Sequence, residues 1–155
     1  MYRWIGGIAV ALLMMGVGVG CGGGSGDTTS DITKAQFVKK ADAICADFGD
    51  KRAAAAEKEF NAKLADAGKL TSEVKELGEK LLDESILPLL NEQQEELESL
   101  GAPAGDEETV DAMMENMGTA IGEMEEADFQ EVIAGDQLDP FESEAEKYGM
   151  TCKII

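Results

Sequence analysis

The chain contains no histidine among its 155 residues. That absence removes the side chain most often used as a general base, and no other nucleophile in the sequence has an evident partner. Cationic residues are also scarce, with 13 Lys and Arg against 32 Asp and Glu and a formal net charge of -19. A field of that sign repels phosphate backbones and anionic lipid surfaces, which argues against nucleic-acid partners and against electrostatic adsorption to a membrane. Strand signals are missing too. No stretch alternates apolar and polar residues with the Val, Ile, Thr and Tyr enrichment of a β-strand.

Carboxylates are what the chain has in abundance, and none forms a recognisable constellation. Glu125 with Glu126 and Glu142 with Glu146 read as solvated faces of acidic helices. Gly105-Asp106-Glu107-Glu108 and Gly135-Asp136-Gln137-Leu138-Asp139 lack the alternating oxygen ligands and the distal glutamate of an EF-hand loop. The expectation is a protein that is not an enzyme and carries no cofactor.

The N-terminus has a strong pattern. Arg3 supplies a positive start, Trp4 to Val19 an apolar stretch, and Gly18-Val19-Gly20-Cys21 a run of small residues before a cysteine. Three readings fit such a segment: a cleaved lipoprotein signal, a plain secretory signal, or a retained membrane helix. The last is the poorest, because Trp4 to Gly20 spans 17 residues and includes five glycines, against the roughly 17 to 25 apolar residues of a span.

The segment resembles the lipobox of bacterial lipoproteins, with Gly18 standing where that family usually has leucine. The resemblance implies that residues 1–20 are removed and that Cys21 becomes a diacylglycerol-modified N-terminus carrying palmitate-type chains. The protein would then be held on the outer face of the cytoplasmic membrane. Each buried methylene contributes about 0.8 kcal/mol and stable attachment takes two chains, which a diacyl group provides. Loss of Arg3 with the leader moves the formal charge from -19 to -20. Residues 21–32 follow as the lipidated cysteine and a Gly/Ser-rich tether, with a mean reach of roughly 17 Å for its ten polar residues.

With Cys21 given to lipid, Cys45 and Cys152 remain, separated by 106 residues. An even remainder suits a disulfide in an oxidising envelope; the alternative is two unrelated buried thiols. A zinc site does not fit, since two cysteines and no histidine leave the ligand set incomplete.

Residues 33–155 read as one all-α domain. Phe37, Ala41, Ile44, Cys45 and Phe48 form an apolar stripe on a first helix starting near Thr33, extended through Phe60 and Leu64 to Gly68. A second helix opens at Thr71 or Ser72. Pro88 should kink or break it near Ser85, because proline lacks a donor and clashes with the carbonyl of Glu84. Gly101 and Pro103 end it. A third helix, capped by Asp106, carries Val110, Met113, Met114, Met117, Ile121 and Met124; its phase slips near Asp128. Asp139 and Pro140 open the last helix and Gly149 closes it. The expected architecture is an up-and-down bundle of about four helices clasped by one disulfide.

Lys39-Lys40-Ala41-Asp42-Ala43-Ile44-Cys45, the Leu100 to Glu107 hinge and the Tyr148-Gly149-Met150-Thr151-Cys152 ending resemble an uncharacterised family of small helical bacterial lipoproteins. The resemblance maps that family's paired cysteines onto Cys45 and Cys152 and implies no activity. The methionines leave a competing reading, in which Met113, Met117 and Met124 bind monovalent copper through their thioethers. Methionine equally fills gaps in helix bundles, or lines a seam that opens for a partner helix or apolar ligand. The sequence therefore points to a membrane-anchored, non-enzymatic binding or structural module for an envelope protein or small ligand, with copper handling as the alternative.

Overall fold

A computed structural model describes residues 32–58 and 72–154. The expected leader, Cys21, all but the end of the expected tether, and the expected extension through Phe60 and Leu64 to Gly68 lie outside the described residues. The fold is an all-α bundle, with no strand among the described residues. Helix α1 is Lys34–Ala56, α2 is Ser72–Leu81 and α3 is Leu87–Ser99; α4 is Glu107–Glu126, α5 is Phe129–Ala134 and α6 is Asp139–Tyr148. None of the described helices is long and apolar enough to cross a membrane.

Local chemistry sets most boundaries. Thr33 and Gln36 form a reciprocal capping box at the start of α1, satisfying donors that the first turn leaves without helical partners. Asp128 and Glu131 do the same for α5, so the phase slip after α4 marks a separate short helix. At the other end of α6, Gly149 adopts φ 101°. Its N–H bonds to the Glu146 carbonyl and that of Met150 to Ala145, a Schellman closure that favours glycine at the left-handed position.

Pro88 perturbs the second helical run without ending it. Leu82–Ile86 forms a π-helical turn between α2 and α3, and the Leu87 N–H reaches back five residues to the Leu82 carbonyl. Widening the helix just before the proline accommodates the ring and the missing donor. The inserted residue also turns the apolar stripe, so that Leu87, Leu90 and Leu97 continue into the core.

Packing runs α1 on α3, α3 on α4, and α4 on α6. The fourth edge, between α6 and α1, is closed by side chains and by the C-terminal tail. Phe37 meets Tyr148 edge-on, with ring centroids 5.8 Å apart, and the Thr151 N–H donates to Asp42 Oδ1 at 2.7 Å. The short α5 packs on α2 at Gly78, where a Cβ would overlap the Phe129 ring; Ile133, on the same helix, is exposed. Gly78→Ala should lower the thermal midpoint, because overpacking costs ~1–3 kcal/mol and outweighs the ~0.5–1 kcal/mol gained from helix propensity. An unchanged or raised midpoint would show that Phe129 is not held against this glycine.

Candidate functional site

The most unusual chemistry of the molecule lies between α1, α3 and the tail. Cys45, on the buried face of α1, is joined to Cys152 by a disulfide with α-carbons 5.3 Å apart, and both residues are buried. Gln93 of α3 is fully enclosed beside them. Its Nε2 donates toward Cys45 Sγ at 3.4 Å and lies 3.8 Å from Cys152 Sγ. Its Oε1 accepts from Arg52 Nη1 at 2.5 Å. The orientation of the amide follows from valence: a guanidinium offers only donors, so the oxygen must face Arg52 and the N–H groups the sulfurs.

Arg52 is only 7% exposed. Among the described residues no carboxylate pairs with it, and its Nη2 has no hydrogen-bond partner. Burial alone pushes its pKa below the ordinary arginine value, the expected direction for a cation removed from water without a counterion. The ion pairs found among the described residues are Lys51–Asp47, Lys75–Glu79 and Lys80–Glu84, all between residues four apart on the surface.

Neither Arg52 nor Gln93 stood out in the sequence, although a signal was present. Arg52 follows Phe48 by four residues on the stripe Phe37, Ala41, Cys45, Phe48; Gln93 sits between Leu90 and Leu97 at spacings of three and four. A polar residue on an apolar helical stripe was the mark to read.

Of the residues singled out beforehand, Cys45 and Cys152 come together and Cys21 lies outside the described residues. Met113, Met117 and Met124 share the buried face of α4 within the apolar core; the first two are completely enclosed. Comparison with known protein families, curated proteins and solved structures finds no match for this chain.

Beside the disulfide, Cys152 lines an open groove of about 820 Å³ between α6, the tail and the end of α4. Glu123, Asp139, Glu142 and Glu146 give it a negative wall, with Lys153 at its edge. Glu142 also accepts the Ile154 N–H at 2.8 Å, so one wall residue holds the tail in place.

At the far end of α6, Tyr148 donates its hydroxyl to Asp106 Oδ2 at 2.7 Å, and the Lys34 ammonium lies 3.8 Å from the centre of its ring. Asp106 does occupy the N-cap of α4, but its side chain makes no capping bond; the phenol has recruited it instead. Burial first, and then the bond to Asp106, raise the Tyr148 pKa above its ordinary 10. A group raised in the folded state contributes stability that is complete below its unfolded pKa and is lost as pH climbs past it. Urea unfolding at pH 8 and pH 11 should therefore show a larger alkaline loss for the native chain than for Tyr148→Phe. Equal losses would remove Tyr148 as the source.

Proposed function

We propose that this protein is a lipid-anchored extracytoplasmic lipoprotein, a non-enzymatic binding or structural module displayed on the outer face of the cytoplasmic membrane. The observation that carries the reading is the Cys45–Cys152 disulfide, because such a bond persists in an oxidising compartment. It also leaves Cys21 as the single unpaired cysteine of the chain, directly after a leader of secretory character. The bundle begins at residue 33, immediately beyond the polar tether, so a chain anchored at Cys21 presents the folded domain close to the headgroups. Burial of the α4 methionines in the apolar core supports a packing role for them over metal handling, since a thioether must be reachable to ligate.

Intact-mass analysis of the native protein extracted from membranes tests the reading. The expected species lacks residues 1–20, carries a diacylglyceryl group on Cys21 and has no free thiol. A chain with its original amino terminus and three unmodified thiols would overturn it.

A further inference from the structure

Arg52 poses a question of charge balance. Among the described residues no carboxylate neutralises this enclosed cation, and an uncompensated buried charge is costly. Among the described residues its hydrogen-bonded neighbour is Gln93, and the groups that Gln93 in turn contacts and that can acquire negative charge are the sulfurs of Cys45 and Cys152. A disulfide sulfur is a weak acceptor, whereas a thiolate accepts strongly and is stabilised by a nearby arginine. The buried network is therefore better satisfied when the bond is open than when it is closed.

The two sulfurs are not equivalent. Gln93 Nε2 is closer to Cys45, and Cys152, although as buried as Cys45, is the one of the two residues that lines the groove. We propose that Cys45–Cys152 is an exchangeable disulfide, attacked at Cys152 from the groove, with Cys45 leaving as a thiolate held by Gln93, which Arg52 orients from its other side. An external thiolate bonds to Cys152 Sγ, the Cys45–Cys152 bond breaks, and its electron pair stays on Cys45 Sγ. When the reductant is a dithiol, its second thiolate displaces Cys152, and the reductant leaves as a disulfide. Two electrons and two protons pass to the protein, leaving Cys45 and Cys152 as thiols or, for Cys45, as a thiolate with its proton released to solvent.

Reversal is built into the tail. Met150 and Ile154 are buried, and the backbone bonds from Thr151 to Asp42 and from Ile154 to Glu142 do not involve the bridge. The thiols thus remain neighbours after reduction. Stabilising the reduced form makes a disulfide more oxidising, so Gln93 and Arg52 are positioning residues that set its potential. The acidic wall of the groove favours neutral or cationic thiols over anionic ones. This inference is independent of the lipid anchor at Cys21.

The test equilibrates the full chain, extracted in detergent, with reduced and oxidised dithiothreitol, and reads thiols by alkylation and mass. Gln93→Leu, and the double variant Arg52→Met with Gln93→Leu, should each lower the equilibrium constant for reduction at least tenfold, about 30 mV for a two-electron couple. The double variant leaves no stranded charge and decides the matter if the single variant fails to fold, as judged by circular dichroism. Constants within twofold of the native value overturn the proposal and leave the bridge purely structural. A brief pulse of β-mercaptoethanol, quenched in acid and mapped by peptide mass, should place the adduct on Cys152; an adduct on Cys45 overturns it as well.

Discussion

Replacing both Cys45 and Cys152 by alanine is expected to lower the unfolding free energy by about 4–5 kcal/mol, the chain-entropy value for closing a loop on the order of 100 residues. The bridge spans 107 positions and joins the first helix of the bundle to the segment after the last. It acts where helix-to-helix contact is thinnest, since α6 and α1 meet through Tyr148 and the tail. The native fold should survive, because the tail keeps its bonds to Asp42 and Glu142. Urea unfolding of the oxidised native chain and the double variant checks the figure, with helical circular dichroism as the control. A difference below about 1 kcal/mol would mean that the unfolded chain is already compact or that the bridge strains the fold.

The second large effect is expected at Phe37. Its ring is completely enclosed and makes the edge-on contact with Tyr148 that closes α1 against α6. Phe37→Ala deletes the ring and leaves a cavity between elements that relax little, which costs about 3–5 kcal/mol. The position lies two helical turns from Cys45 and shares no hydrogen bond with the Gln93 network, so its cost should add to that of the cysteine replacements. Equilibrium unfolding of Phe37→Ala, alone and in the cysteine-free background, measures both quantities. Native-like stability in the single variant would contradict the burial of this ring.

Much of the architecture was readable along the chain because its causes are local. The Thr33 and Gln36 box, the proline before a disturbed turn, Gly149 and the apolar stripes of α1 and α4 each act within one or two turns. They need no knowledge of what lies across the core. Pro88 shows the limit: a perturbation near Ser85 was expected, but whether it takes the form of a break, a kink or a π turn depends on which face of α3 must meet the core. Asp106 shows the same from another side. Its sequence neighbours mark it as a cap, yet its carboxylate is engaged by a tyrosine 42 residues away.

The sequence by itself determined helical class, the approximate ends of the helices and the charge that argues against nucleic acid, and it offered Cys45 and Cys152 as a candidate pair beside the alternative of two separate buried thiols. These depend on periodicity, capping and counting, all properties of short stretches or of composition. Only the tertiary structure decided that Arg52 and Gln93, 41 positions apart, enclose one another against a disulfide. It also decided that Cys152, and not Cys45, is among the residues lining a groove. The physical reason is that desolvation and hydrogen-bond direction are set by whichever residues the fold brings from elsewhere, and a side chain's neighbours along the chain carry almost none of that information.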